Sequence, residues 1–340
     1  MMAVKWSWAF GQETPTQLND DMGWSVNAPA NNGISTTFTY TYAGSPTRSS
    51  FTADGSAEFD LPVSSFALTG WITLAVYNDS ANWSAGNYPI RVFAGASRYI
   101  GIYMSNAASN TFELYVDNLF KQSFTMTLNN WNYIALKYDV SVADWSGQVY
   151  LNGAAVTTAH TRNFTGAQTT GNYRLEGFSM GNESTYFAQF IVYDDLADAG
   201  ETPLFVTRLP PNAANAADTT AGWAAVGAGT TLLATNTDPL DTAKYAQEAT
   251  PVSGDKISTE VNNLIAQLGL TAGTVRGATN HTYSSGVNVQ VFASCRDSGQ
   301  ASYTDGATIT PDSADTTYGF GTTTTGLGGS STIQCKYEVV

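Results

Sequence analysis

Charge is what this sequence has least of. Only 12% of its 340 residues are Asp, Glu, Lys or Arg, about half the usual share. Thr, Ser, Asn and Gly must therefore cover the surface. The 14 basic residues are scattered singly against 28 acidic ones, for a formal net charge of −14. With no Lys/Arg run, nothing is clustered to displace counterions from a nucleic acid or to dock on anionic lipid. Neither nucleic acid nor membrane is an expected partner. The acidic surplus helps keep many copies soluble. Long apolar runs are missing as well, so no bilayer-spanning helix is expected. The opening MMAVKWSWAF has no continuous apolar core and no cleavage site, so no secretion signal is read there. The expectation is a chain made in a host cytoplasm that either acts there or is released by lysis.

Histidine is almost absent too. His160 and His281 lie near no Gly-x-Ser-x-Gly, so no activated serine is expected, and both are read as exposed loop residues. The two cysteines, Cys295 and Cys335, form no Cys-x-x-Cys or Cys/His cluster, which excludes a zinc site of ordinary spacing. They are a disulfide candidate if they face each other on neighbouring strands. In a cytoplasmic product, two buried thiols are the expected state. The Gly-rich run 321–329 lacks the Lys and the helix of a phosphate-binding loop.

What is present is apolar and aromatic residue in short alternating stretches: 43% apolar and 12% aromatic overall. The clearest stretch is WNYIALKYDVSVADWSGQVYLNGAAV, residues 131–156. Ile134, Leu136 and Tyr138 alternate with Ala135, Lys137 and Asp139, which predicts a strand with one buried face. Residues 141–147 supply a break, and 148–151 resume extended chain. Asn152-Gly153 then marks a hairpin tip, because both residues tolerate φ > 0. Further strands are expected at 4–10, 36–42, 66–77, 88–93, 99–104, 111–116, 122–128, 173–180 and 187–193, at the spacing of a sandwich. Beyond a Pro- and Ala-rich stretch, strands are expected at 287–295, 307–311, 316–320 and 332–339. One helix is predicted, Ser253 to Gly269, from Ile257, Val261, Leu264, Ile265 and Leu268 at helical spacing, with Asp255 and Gly269 as caps.

Residues 49–198 resemble laminin-G-like, concanavalin A-like jelly rolls. The resemblance is carried by LTGWITLAVY (68–77), NNWNYIALKYD (129–139), SGQVYLNGAAV (146–156), GNYRLEGFS (171–179) and FAQFIVYDDLAD (187–198). It implies fold more than activity, since such domains serve lectins, glucanases and adhesion modules alike. VNVQVFASCRDSG (287–299), YTDGATITPDSADTTYGF (303–320) and IQCKYEVV (333–340), with the opening MAVKWSWAFG, resemble a β-sandwich of tailed-bacteriophage virion proteins that follows a concanavalin A-like domain. The expected architecture is all-β: an arm with first strands at 1–48, a jelly roll at 49–199, a linker at 200–222, and a smaller β-sandwich with one short helix at 223–340.

Glycoside hydrolysis needs two carboxylates across the sugar bond. The nearest pair, Glu58 and Asp60, is read as pointing to opposite faces, and Asp194-Asp195 has the same fault. No catalytic residue and no enzyme activity are therefore expected. Calcium is a possible cofactor, held at strand ends by Asp79 or Asp194. Asn82, Trp83, Tyr88, Asp144 and Trp145 read as loop aromatics beside amides and acids. That combination suits a glycan site, a subunit interface or plain packing. The functional expectation is a non-enzymatic structural protein on the virion surface of a bacteriophage: a capsid decoration, head fibre or tail appendage. Its expected partners are other copies of itself as a homotrimer, capsid or tail proteins, and host-surface glycan. The alternative is a carbohydrate-binding receptor module; a glycan hydrolase is the remaining class.

Overall fold

The computed structural model describes residues 4–8, 25–27, 33–40, 48–53, 58–60, 67–78, 86–94, 98–106, 110–163, 171–176, 185–197, 200–201, 213–227, 245–262, 275–282, 291–309, 316–324 and 332–340. The chain divides into two compact units, Met1–Arg208 and Leu209–Val340.

The first unit contains β1 (Val4–Trp8), β2 (Ser25–Asn27), β3 (Gly33–Tyr40), β4 (Arg48–Ala53), β5 (Glu58–Asp60), β6 (Thr69–Asn78), β7 (Ile90–Ala94) and β8 (Tyr99–Asn106). It continues with β9 (Thr111–Val116), β10 (Leu119–Thr125), β11 (Trp131–Asp139), β12 (Asp144–Leu151), β13 (Ala154–Ala155), β14 (His160–Asn163), β15 (Gly171–Glu176) and β16 (Thr185–Tyr193). Among the described residues these make two antiparallel sheets. The larger runs β13-β12-β11-β6-β16-β4-β3, with β1 beside β16 and β14 beside β12. The smaller runs β10-β9-β8-β7-β15-β5-β2.

The hairpin forms as its sequence predicts. β11 and β12 pair from Ile134↔Leu151 to Asp139↔Ser146. Asn152 and Gly153 take φ of 51° and 88°, the mirror-image turn whose twist matches the flanking strands. The expected break is shorter than read, because β12 already begins at Asp144. Trp145, Gly147 and Val149 all turn to the buried face of that strand, so 145–147 belong to the alternation. A bulge at Gln189 (φ 50°) divides the edge of β16. β4 pairs on one side of it and β1 on the other, as expected where one extra residue re-aims a strand.

The two sheets pack face to face. Ile72, Leu74, Val76, Ile134, Leu136, Phe187 and Phe190 from the larger meet Ile90, Val92, Ile100, Ile102, Phe112, Leu114 and Leu175 from the smaller, all fully or almost fully buried. Phe59 and Phe187 meet edge to face at 6.2 Å across the layer. A polar tie sits inside it. Tyr138 of β11 and Tyr173 of β15 hydrogen-bond at 2.5 Å, Tyr138 donates to the Ala67 carbonyl (2.8 Å), and the Ala67 N–H donates to Tyr173 (2.9 Å). Buried hydroxyls need such partners. Burial and hydrogen bonding lift the Tyr138 phenol well above its ordinary pKa.

The larger sheet is apolar on its second face too, which its alternation does not show. Trp71, Ala75, Tyr133, Ala135, Ala188, Ile191 and Tyr193 form a second buried cluster there. Gly200 lies against two of them: Tyr133 donates to the Gly200 carbonyl (3.3 Å), and a Cβ at Gly200 would sit 2.5 Å from Trp71 Cγ. Only glycine lets the backbone lie that close to the indole.

The second unit contains β17 (Ala213–Ala214), β18 (Trp223–Val226), β19 (Tyr245–Glu248), β20 (Lys256–Asn262), β21 (Val275–Thr282), β22 (Val291–Asp297), β23 (Thr304–Ile309), β24 (Thr316–Thr324) and β25 (Thr332–Val339). A five-stranded sheet runs β17-β20-β25-β22-β23, beside two-stranded ribbons β18-β19 and β21-β24. The predicted helix is overturned: 256–262 is β20, paired with β25 from Lys256↔Glu338 to Asn262↔Thr332. Ile257, Thr259 and Val261 also fit period 2, and β-branched residues with a ready partner strand override the weaker helical spacing. The remainder of that stretch, 263–269, lies outside the described residues. No helix among the described residues is long and apolar enough to cross a membrane.

Candidate functional site

The smaller sheet of the first unit turns one face to the core and the other outward. In β7, Ile90, Val92 and Ala94 point in, which leaves Arg91 and Phe93 outside. In β9, Phe112, Leu114 and Val116 point in, and Glu113 and Tyr115 stay out. In β8 the buried Ile100, Ile102 and Met104 leave Tyr99, Gly101 and Tyr103 on the outer side. A period-2 strand admits nothing else.

Register then aligns these residues into one row. Asp60 stands opposite Arg174, Arg174 opposite Arg91, Arg91 opposite Gly101, Gly101 opposite Tyr115, and Tyr115 opposite Phe120. The row is ionic at one end and aromatic at the other. Tyr88, just before β7, is placed by two backbone bonds that extend the pairing: Gly86 N–H to the Met104 carbonyl (3.0 Å) and Met104 N–H to the Asn87 carbonyl (2.9 Å). Its own N–H donates to Glu176 Oε2 (2.9 Å).

The Tyr88 ring lies 5.0, 4.8 and 6.2 Å from the rings of Tyr99, Tyr103 and Tyr115. Those rings surround Gly101. A Cβ at Gly101 would come within 3.0 Å of Arg91 Cγ and 3.3 Å of Tyr99 Cδ2. The missing side chain thus leaves the space in which the Arg91 stem and the Tyr99 ring fit. Tyr103 and Tyr115 pack at 5.4 Å, and Phe120 continues the row at 6.3 Å from Tyr115. Phe120 is 52% exposed and Leu119 48%, so the aromatic end opens to solvent.

At the ionic end, Arg91 and Arg174 face each other across strands, an unfavourable like-charge pair. Acids compensate it. Arg174 holds Asp60 in a fork (Nε–Oδ1 2.6 Å, Nη2–Oδ2 2.7 Å) and reaches Glu58 at 2.9 Å. Arg91 pairs with Glu176. Its guanidinium also lies 4.6 Å from the Tyr88 ring centre and 4.9 Å from that of Phe93, contacts worth about 0.5–2 kcal/mol each. Burial, then the Arg174 charge, pulls the Arg91 pKa below its ordinary value. The phenols move the other way. Burial and the Tyr99 hydrogen bond lift Tyr88 far above the usual range, and burial with Glu113 lifts Tyr115 to about 12. At neutral pH Tyr88 and Tyr115 present intact hydroxyls.

Glu58 and Asp60 therefore share one outward face, contrary to the sequence reading: residues two apart on a strand point the same way, and both meet Arg174.

The expected site residues fare differently. Tyr88 is the hub of this face. Trp145 is 0% exposed in the sandwich core, so it is no exposed loop ring; the alternation of β12 turns it inward. Asp144 is exposed and accepts a bond from Asn163 Nδ2 (2.7 Å). Asp194 is exposed just past the end of β16, and no cluster of three or more metal-ligating side chains occurs among the described residues. Asp79, Asn82 and Trp83 lie outside the described residues. His160 sits on β14 and not in a loop, its Nε2 3.0 Å from Gln122 Oε1 and 3.1 Å from Thr158 Oγ1. Cys295 and Cys335 do face each other, on β22 and β25. Arg91, Tyr99, Tyr103, Tyr115, Arg174 and Glu176 are not among the residues the sequence singles out. Their signal is tyrosine at the polar positions of YIGIYM and TFELYV, where a solvated strand would carry Thr, Ser or Lys.

No protein-family model matches the sequence, and no curated protein matches it. Among solved structures, the chain is similar to domain 4 of AbnA, a GH43 extracellular arabinanase from Geobacillus stearothermophilus, in complex with arabinotriose. The identity is 12%, over 58% of this chain and 99% of that one, with TM-score 0.37. It is also similar to Trypanosoma rangeli sialidase in complex with sialic acid, at 11% identity over 52% of this chain but only 28% of the sialidase, TM-score 0.36. A third is the cellulose induced protein Cip1, at 11% identity over 52% of this chain and 93% of that one, TM-score 0.38. Likeness at this level assigns no activity, and the function rests on the chemistry of the face itself.

Proposed function

We propose that the chain is a non-enzymatic carbohydrate-binding protein, and that the outer face of its smaller sheet holds the saccharide. The observation that supports this most is the row of tyrosine rings from Tyr88 to Tyr115, ending at exposed Phe120, beside a block of arginines and acids. Sugar rings stack their C–H faces on aromatic rings and take hydrogen bonds from hydroxyls and ionised side chains. The charges of this face are paired with one another, which favours a neutral oligosaccharide. The test is a glycan array with the full chain, repeated with Tyr103→Ala and Tyr115→Ala. Binding that weakens at least tenfold in either variant, with melting temperature preserved, is the expected result. No binding to any neutral glycan removes the reading.

The wider role we infer is a structural component on the outside of a bacteriophage particle: a capsid decoration, head fibre or tail appendage, assembled as a homotrimer with the tyrosine face outward. The resemblance of the C-terminal half to a virion sandwich that follows a concanavalin A-like domain, the scarcity of charge and the acidic surplus support it. Mass spectrometry of purified particles tests it; absence of the chain beside the other coat proteins defeats it.

A further inference from the structure

The second unit holds its two cysteines in a position that the glycan reading does not use. Cys295 of β22 and Cys335 of β25 are directly opposed in antiparallel register, between the pairs Ala293↔Tyr337 and Asp297↔Ile333. Residues so opposed have Cα atoms about 4.5–5.5 Å apart, inside the range a disulfide spans without backbone movement. The two Sγ atoms are 3.0 Å apart, and the residues are forty positions apart in sequence. Neither is in a disulfide; Cys295 is buried and Cys335 partly exposed. β25 runs between β20 and β22, so a link here would join the middle strand of the five-stranded sheet to its neighbour.

We infer that Cys295 and Cys335 are a redox-closed staple: thiols in a reducing cytoplasm, an intrachain disulfide once the chain meets a low-molecular-weight disulfide outside it. The chemistry is two exchanges. Cys335, the less buried of the two residues, loses its proton and attacks one sulfur of the small disulfide; that S–S bond breaks and one small thiolate leaves. Cys295 then loses its proton and attacks the Cys335 sulfur, which forms the intrachain bond and releases the second thiolate. The protein gives up two electrons, and the small disulfide is reduced to two thiols. Hydrogen bonding to Cys295, together with burial, holds the Cys335 thiol well above its ordinary pKa. The raised pKa slows the first exchange, and in a cytoplasm the small-thiol pool holds the pair reduced.

The experiment uses the full chain, purified reduced and incubated with oxidised glutathione, then denatured and alkylated. The expected product is a peptide pair joined through Cys295 and Cys335, with neither thiol alkylated and no glutathione retained. Cys295→Ser is expected to stop at a stable glutathione adduct on Cys335. Adding reductant to the closed wild type is expected to lower the melting temperature of its second unit by about 5–10 °C, and to leave Cys295→Ser unchanged. Two alkylatable thiols after prolonged incubation, a lasting glutathione adduct on the wild type, a link between two chains, or equal melting shifts in both proteins would each overturn the inference.

Discussion

Replacing Gly101 by alanine perturbs the tyrosine face without deleting any of its rings. The new Cβ would stand 3.0 Å from Arg91 Cγ, 3.0 Å from the Ile90 carbonyl oxygen and 3.3 Å from Tyr99 Cδ2. The carbonyl is backbone of a paired strand and cannot retreat far, so the arginine and the rings must yield. Overpacking of this kind costs about 1–3 kcal/mol. In a unit of this size each kcal/mol lowers the melting temperature by about 2–4 °C, so a drop between about 2 and 12 °C is expected by calorimetry. Displacing Tyr99, which packs on Tyr88 at 5.0 Å, also disturbs the stacking platform by about 1 kcal/mol, so glycan affinity is expected to weaken about fivefold. The assay is titration calorimetry against the best array ligand, beside a melting scan. Unchanged affinity with a lowered melting temperature would refute the claim that the space over Gly101 organises the binding face.

Other outcomes follow from the same structure. Tyr138→Phe removes the donor to the Ala67 carbonyl and the partner of Tyr173, and is expected to cost about 1–3 kcal/mol; denaturant titration reads it, and Tyr138→Phe with Tyr173→Phe should cost less than the two single changes summed. Trp145→Ala empties a core position and is expected to cost about 3–5 kcal/mol; a stable variant that merely lost glycan affinity would contradict its burial. In the second unit, burial raises the Asp218 pKa, but Lys256 and Tyr303 outweigh it and bring it below 3.8. A lowered folded-state pKa adds stability above the unfolded value and loses it as pH falls through the folded value. Melting temperature of the second unit should therefore fall below about pH 4, and Asp218→Asn should flatten that fall.

The fold was legible where local chemistry and tertiary structure agree. Ile134, Leu136 and Tyr138 mark a strand, and Asn152-Gly153 closes its hairpin, because pattern and turn residues point the same way. Reading failed where a distant partner decides. Nothing local to Ile257 and Val261 reveals that β25 lies alongside, so their spacing reads as helical. Ala135 looks solvent-facing, yet it is buried in the second cluster with Trp71 and Tyr133. The candidate site was only partly legible for a related reason. Tyr88 stands out as an aromatic beside Asn87, whereas its neighbours Tyr99, Tyr103 and Tyr115 come from strands that meet it only through register. Trp145 misled because Asp, Ser and Gly around it read as a turn, while its alternation with Gly147 and Val149 turns it inward.

The most direct measurement is residue-resolved NMR of the isotope-labelled chain titrated with the strongest neutral oligosaccharide from the array. The expected result is shifts confined to the outer face of the smaller sheet, at Tyr88, Tyr99, Tyr103, Tyr115 and Phe120, with Arg91 and Arg174 at its border. Shifts clustered around Trp131 and Tyr150 on the larger sheet, or anywhere in the second unit, would contradict it.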